Sequence, residues 1–252
     1  METTMTTHKT ASREEWMAAR SALLEREKEH TRMGDELAKQ RRELPRVAVE
    51  KQYTLETANG AKTLTELFDG RSQLLIYHFM FGPGYEAGCP VNSSIADSFD
   101  SVIPHLEARD VTLIAVSGAP AEMLLAYRER MGWSFEWASS YQSEFNADLG
   151  FSSSLEQTRG AIEPILDQLP AVAFRNADEA GTDIYGYLTE LFGFTVFTIA
   201  NGTVYQTYST TGRGVEFLMP YYAFLDRAPK GRDEDGDDWQ VWIHRHDEYD
   251  GA

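Results

Sequence analysis

The chain holds one cysteine, Cys89, in the stretch Gly82-Pro83-Gly84-Tyr85-Glu86-Ala87-Gly88-Cys89-Pro90-Val91-Asn92-Ser93. A thiol becomes a nucleophile when it ionises, and the start of a helix favours that, because unpaired N–H groups and the helix dipole stabilise negative charge. Pro90 suits a first helical turn, where it has no N–H to waste. Cys89 is therefore expected to be an acidified catalytic nucleophile, with a pKa below the ordinary thiol value of about 8.5. An inert cysteine at a strand–helix junction is the competing reading. A dithiol cycle needs a second cysteine to resolve the mixed disulfide. Asn92 holds that position and the chain has no other cysteine. A single-thiol route then needs an external thiol or a second subunit.

Other polar groups fall near the same strand end. His78 lies inside an apolar run and Tyr85 and Glu86 lie in the loop, while Asn92 and Ser93 occupy the first helical turn. His78 and Tyr85 are candidate acid–base groups beside Cys89, although a strand histidine also reads as a hydrogen-bonded core residue. Glu86, Asn92 and Ser93 are candidate substrate contacts. The tail His244-Arg245-His246-Asp247-Glu248-Tyr249 is either a docked, solvated terminus or a lid bringing His246 or Tyr249 over the loop. Arg213, between two glycines, could hold an anion or cap a helix. A site combining Cys89, His78 and a tail histidine would suit copper, zinc or iron, but no spacing supports one. No metal site is assigned, and no cofactor is indicated.

These residues need elements to position them. Ser12-x-x-Glu15 reads as a capping box. It opens an amphipathic helix over 12–46, with Trp16, Leu23, Leu37 and Leu44 in one seven-residue register and Pro45 as its stop. Its narrow apolar seam should lie on the body or on a second copy, so a homodimer is expected. Leu74–Phe81 and Val111–Ser117 are near-continuous apolar runs, as for strands buried on both faces. Each is followed by a helical pattern, about 91–108 and 121–131. Phe194–Ala200, Asn201-Gly202 and Thr203–Ser209 form a strong hairpin signal, and a last helix is expected over about 213–225. The order β-α-β-α-β-β-α, with right-handed crossovers, makes the first two strands parallel neighbours and adds an antiparallel hairpin. That is an α/β, thioredoxin-like fold: a central mixed sheet flanked by helices, with a long N-terminal helix and an insertion at about 138–192 before the hairpin. The domain should span 47–225. Residues 1–11 read as a disordered lead and 226–252 as an acidic linker with a docked tail.

The chain of 252 residues carries 23 Lys plus Arg against 40 Asp plus Glu, a net charge of −17. Residues 52–225 alone hold 8 basic and 21 acidic side chains. Nucleic-acid binding needs a basic face to displace counterions, and none is offered. No run nears the roughly 18 apolar residues needed to span a bilayer, and the first fifteen residues lack an apolar core. A cytoplasmic protein acting on a small molecule, with neither nucleic acid nor membrane as partner, is the expectation.

Several long blocks, in order, resemble the DUF899 family, thioredoxin-like bacterial proteins described as predicted dithiol–disulfide oxidoreductases. The blocks are EEWMAARSALLEREKEHTR, DGRSQLLIYHFMFGPGYEAGCP, GWSFEWASS with FNADLGF, YSTTGRG, PKGRDE and the terminal RHDEY. The resemblance spans about 14–250 and implies that Cys89 matches the first cysteine of the family's Cys-x-x-Cys, with Asn92 replacing the second. Gln206-Thr207-Tyr208-Ser209 and Thr211-Gly212-Arg213-Gly214 also depart from the family's usual residues. They imply a remodelled pocket with a new substrate, in a specialised biosynthetic pathway. Three functions stay open: a single-thiol enzyme, a non-redox or metal-dependent enzyme on the same scaffold, and a non-catalytic binding protein.

Overall fold

The computed structural model describes residues 9–234 and 239–249. Most of the expected disordered lead, residues 1–8, lies outside the described residues, as do 235–238 of the acidic linker and 250–252 of the tail.

Helix α1 (Arg13–Glu43) opens on a capping box. Ser12 Oγ accepts from the Glu15 N–H at 3.2 Å, and the Glu15 carboxylate accepts from the Ser12 N–H at 2.8 Å. At about 1.5 Å per residue it is roughly 46 Å long, yet none of its residues is buried. Trp16, Leu23, Leu37 and Leu44 are all about half exposed, so the seam does not lie on the chain's own body. The helix end meets the sheet through guanidinium–ring contacts, Arg41 over Tyr208 and Arg46 over Tyr205.

The elements that follow are β1 (Val47–Ala48), β2 (Thr54–Thr57), β3 (Gly60–Thr63), β4 (Gln73–His78), α2 (Pro90–Ala96), α3 (Phe99–Glu107), β5 (Val111–Ser117) and α4 (Ala121–Arg130). Then come β6 (Trp137–Ser139), α5 (Phe145–Asp148), α6 (Leu155–Ile162), α7 (Ala171–Glu179), α8 (Ile184–Tyr187), β7 (Gly193–Ala200), β8 (Thr203–Thr211) and α9 (Pro220–Leu225). The sheet has eight strands in the order β1-β8-β7-β4-β5-β6-β2-β3. Strands β4 and β5 are parallel, β7 runs antiparallel to β4, and β8 returns beside β7. That central arrangement, with helices after β4, β5 and β8, is the thioredoxin-like fold. The β7–β8 hairpin turns through Asn201 and Gly202, both at positive φ, which is why those residue types mark such turns.

Two expectations need correction. The helix expected over 91–108 is two helices, broken at Asp97-Ser98, where the Asp97 carboxylate is held by the Trp133 indole N–H at 2.9 Å. The last expected helix is a 3-10 segment, Gly212–Leu218, followed by the short α9. Between β2 and β3 the chain turns through Ala58 and Asn59, since Thr57 pairs with Gly60. The edge strands β6, β2 and β3 extend the sheet on the β5 side.

Alternation along β4 divides the core. Leu74, Ile76 and His78 face one layer, with Leu55, Phe68, Phe145 and Phe197. Tyr77 faces the other, which holds Phe79, Phe81, Trp133, Phe135, Trp137 and Cys89. Edge-to-face and tilted ring pairs run through this second layer, each adding about 0.5–1.5 kcal/mol beyond area burial.

Candidate functional site

Cys89 caps the start of α2, just beyond the loop that follows β4. Two hydrogen bonds pin that junction. The Cys89 N–H donates to the Met80 carbonyl at 3.1 Å, and the Met80 N–H donates to Asn92 Oδ1 at 2.8 Å. Gly88 is required here, because a Cβ would sit 2.7 Å from the Phe79 ring. The Gly88 carbonyl accepts from the Arg245 guanidinium at 2.8 and 3.1 Å. Gly84, by contrast, faces open space, so of the loop glycines it has no part in the close approach.

The sulfur itself accepts two donors: the Tyr187 hydroxyl at 3.0 Å and Asn92 Nδ2 at 3.3 Å. The Tyr85 hydroxyl donates to the Tyr187 carbonyl and fixes that tyrosine from behind. Ser93 Oγ donates to the Cys89 carbonyl and pairs with the Tyr127 hydroxyl. Cys89 is only 1% exposed. Burial pushes its thiol above the ordinary value, while Tyr187, the backbone N–H groups of Asn92 and Val91 and the charge of Arg245 pull the other way. This corrects the expected acidification. The helix start favours the thiolate, but loss of water outweighs it. At rest the sulfur is protonated.

Beside the sulfur lies a cavity of about 280 Å³. Its walls come from α2 (Val91, Ile95), from α7 and the turn before it (Leu169, Val172, Asn176), from 187–192, and from the 3-10 segment after β8. Asn92 and Arg213 also line it. Arg213 is largely exposed at the rim, and its guanidinium binds Glu216 at 2.8 Å.

The other expected residues do not converge there. His78 is fully buried in the opposite layer, stacked on Phe151, with Nδ1 bonded to Asn146 Oδ1 and Nε2 to Thr195 Oγ1. Burial pushes its pKa down to about 3, so it is a neutral core histidine. Glu86 is exposed, packed against Gly181. His246 bonds to Asp97 at 2.7 Å, and the Tyr249 hydroxyl accepts from the His244 N–H at 3.1 Å. Neither lines the Cys89 cavity.

The residues that complete the site were not singled out beforehand: Tyr187, Asn176, Arg245 and Glu190. Arg245 is buried, and besides Gly88 it binds the Glu179 carbonyl and the Glu248 carboxylate. Glu190 is buried where Gly82 and Gly118 leave room for it, and it accepts from Ser152 Oγ at 2.8 Å. It anchors the segment that carries Tyr187, Leu188 and Phe192. Among the described residues, Glu179, His244 and Glu248 bring one potential metal-ligand atom each within 4.8 Å of one another. Arg175 already binds both Glu179 and His244 there.

A lone cysteine at the first helix after a central strand, within this strand order, defines a thioredoxin-like protein with a single cysteine. The chain belongs to the family described as "Bacterial protein of unknown function (DUF899)", whose model matches residues 5–249. Comparison with curated proteins yields no match. Among solved structures, it is similar to peroxiredoxin Q of Xanthomonas campestris in a cysteine-to-serine form, at 13% identity and TM-score 0.43 over 71% of this chain and 98% of that one. It is also similar to Peroxidoxin BcpB of Mycobacterium tuberculosis, at 11% identity and TM-score 0.42 over 70% and 94%. A reduced 2-Cys peroxiredoxin of Plasmodium vivax matches at 14% identity and TM-score 0.40 over 73% and 94%. No described helix is long and apolar enough to cross a membrane.

Proposed function

We propose that the protein is a single-thiol enzyme in which Cys89 attacks a small molecule bound in the adjoining cavity. The observation that carries this is Cys89, which lines that cavity while its Sγ accepts from Tyr187 and Asn92. Donors aimed at a sulfur that is neutral at rest are placed for the charge that develops on it during reaction. Burial keeps the thiol protonated until then. Attack joins Sγ to an electrophilic atom of the substrate, and the thiol proton leaves with the displaced group. With one cysteine in the chain, release of the product from sulfur falls to an external thiol. Tyr85 acts through Tyr187, and Arg213 guards the rim.

The test is alkylation of the native protein by N-ethylmaleimide, a small, neutral and largely apolar reagent. Single labelling at Cys89, faster than global unfolding measured in the same buffer, is expected. Labelling only at the unfolding rate would mean that nothing reaches the sulfur, and the enzyme reading would fall. We extend the reading to a homodimer through α1, supported by its uncovered apolar seam. Sedimentation should give twice the chain mass, reduced to the chain mass by Leu23→Glu with Leu37→Glu.

A further inference from the structure

A second hollow, a groove of about 540 Å³, lies between the end of α2, α9 and the tail, and it shares no lining residue with the Cys89 cavity. Its walls are largely aromatic: Tyr221 and Phe224 come from α9, Trp242 and Tyr249 from the tail. The Tyr221 and Trp242 rings stand at 81° to each other with centroids 5.9 Å apart, so they form a corner. The polar ends of these rings are already engaged. The Tyr221 hydroxyl pairs with Ser94 Oγ at 2.8 Å, the Trp242 indole N–H donates to Glu234 at 2.7 Å, and the Tyr249 hydroxyl takes the His244 N–H. What they leave to a ligand is ring carbon and π electrons.

The charge in the groove has one sign. Among the described residues, Asp97 is the only Asp, Glu, Lys or Arg that lines it. Its side chain is 28% exposed. Its Oδ1 takes the Trp133 indole N–H at 2.9 Å and His246 Nδ1 at 2.7 Å, while Oδ2 meets no donor among the described residues. His244 also lines the groove, and its Nδ1 meets the Arg175 guanidinium at 2.9 Å. The chain's net charge of −17 draws cations toward such a place.

Aromatic faces attract cations, and the kind of cation follows from the donors it brings. A primary ammonium carries three N–H groups and a guanidinium five. One free carboxylate oxygen among carbon walls cannot satisfy them, and they would lose water without replacement. A quaternary ammonium has no N–H, and it spreads its charge over methyl groups that suit ring carbon. We propose that this groove binds a small quaternary ammonium compound, with its methyl groups against Tyr221, Phe224 and Trp242 and its charge facing Asp97. The site does not involve Cys89, so it stands or falls separately from the thiol enzyme.

The experiment is NMR titration of the full chain at pH 8, where an ordinary imidazole is neutral. Broadening of the ligand's methyl signal reports binding. The probes are choline and 3,3-dimethylbutanol, its uncharged carbon analogue of the same shape, with ethanolamine as a competitor that has the charge but no methyl groups. Choline should bind about tenfold tighter than the alcohol, and ethanolamine should displace it only at about tenfold higher concentration than unlabelled choline does. Asp97→Asn keeps an oxygen for Trp133 and His246 but loses the charge. Phe224→Ala removes a ring that is 76% exposed and holds no core together. Each variant should weaken choline by about three- to tenfold while its thermal midpoint stays near that of the wild type. Absence of choline binding overturns the proposal, as does equal binding of choline and the alcohol. So does ethanolamine that competes as well as choline, and so does wild-type affinity for choline in either folded variant, which would place the cation elsewhere.

Discussion

The Tyr187 hydroxyl donates to Cys89 Sγ at 3.0 Å, although 98 residues separate the two. That bond runs from the short α8 to the start of α2, so the sulfur's environment depends on where the 184–192 segment docks. Removing the hydroxyl leaves burial less opposed. In Tyr187→Phe the pH midpoint for alkylation of Cys89 should rise by about one pH unit from an already raised wild-type value, since a hydrogen bond to a charged group is worth about 1.5–3 kcal/mol. Iodoacetamide rates measured across pH check this. An unchanged midpoint would show that the hydroxyl does not feel the thiolate.

Arg245 has a structural consequence of its own. It is 3% exposed and its guanidinium satisfies the carbonyls of Gly88 and Glu179. Arg245→Met should cost about 2–4 kcal/mol in urea unfolding, because the buried Gly88 carbonyl and the half-buried Glu179 carbonyl lose their donor. Arg130→Met removes the more exposed pairs to Asp247 and Glu248, and should cost less than about 1 kcal/mol. Equal losses would mean that the tail docks through its surface charges and not through Arg245.

Much of the fold was legible because its central strands are unusual as sequence. LLIYHF and VTLIAVS are apolar at every step or nearly so, as burial on two faces demands, and Asn201-Gly202 requires left-handed backbone. Cys89 at the strand end followed from that order. The rest of the site was not legible, for a physical reason. Tyr187 and Arg245 reach the cysteine and its neighbour Gly88 from distant segments, and Asn176 lines the same cavity from another. Nothing local distinguishes an arginine that will be buried on two carbonyls from one in a solvated tail. The acidified thiol was an inference from the helix start alone, and desolvation is a property of the finished packing. Strand β6 has three residues, too few for a periodicity to show. His78 stood beside Cys89 in sequence, yet alternation along β4 turned it to the other layer.

When the Glu190 carboxyl accepts from the Asn146 amide, the His78 network has one arrangement of protons. Glu190, held low by bonds from Ser152 and Asn146 but raised overall by burial, takes the Asn146 amide N–H. Asn146 Oδ1 must then accept from His78 Nδ1–H, and Nε2 must accept from the Thr195 hydroxyl. Long-range proton–nitrogen NMR spectra should show the neutral Nδ1-protonated tautomer of His78, unchanged from about pH 5 to pH 8, because burial holds its pKa near 3. A resonance that titrates in that range would place the ring in contact with water or a charge.

Glu190 makes the protein's stability depend on pH in an unusual direction. Burial pushes its carboxyl up to about 7 from an ordinary 4.5, and no Lys or Arg pairs with it among the described residues. The folded state therefore holds the proton over a range in which the unfolded chain has released it. Its contribution to stability is fully present below about pH 4.5, is lost as pH rises from there to about 7, and stays lost above. The loss is roughly 3 kcal/mol. Glu190→Gln keeps an oxygen for the Gly118 N–H, and the Ser152 hydroxyl can turn to accept from the new amide. The variant should be more stable than the wild type at pH 8 by about that amount, and nearly equal to it at pH 4. Carboxylates such as Asp110, Asp148 and Asp247, which bonds hold below their usual range, affect both proteins alike as pH falls further, so the difference between the two unfolding curves isolates Glu190. A difference that does not grow with pH would show that the carboxyl is hydrated or paired in solution, and that the segment bearing Tyr187 is anchored by something else.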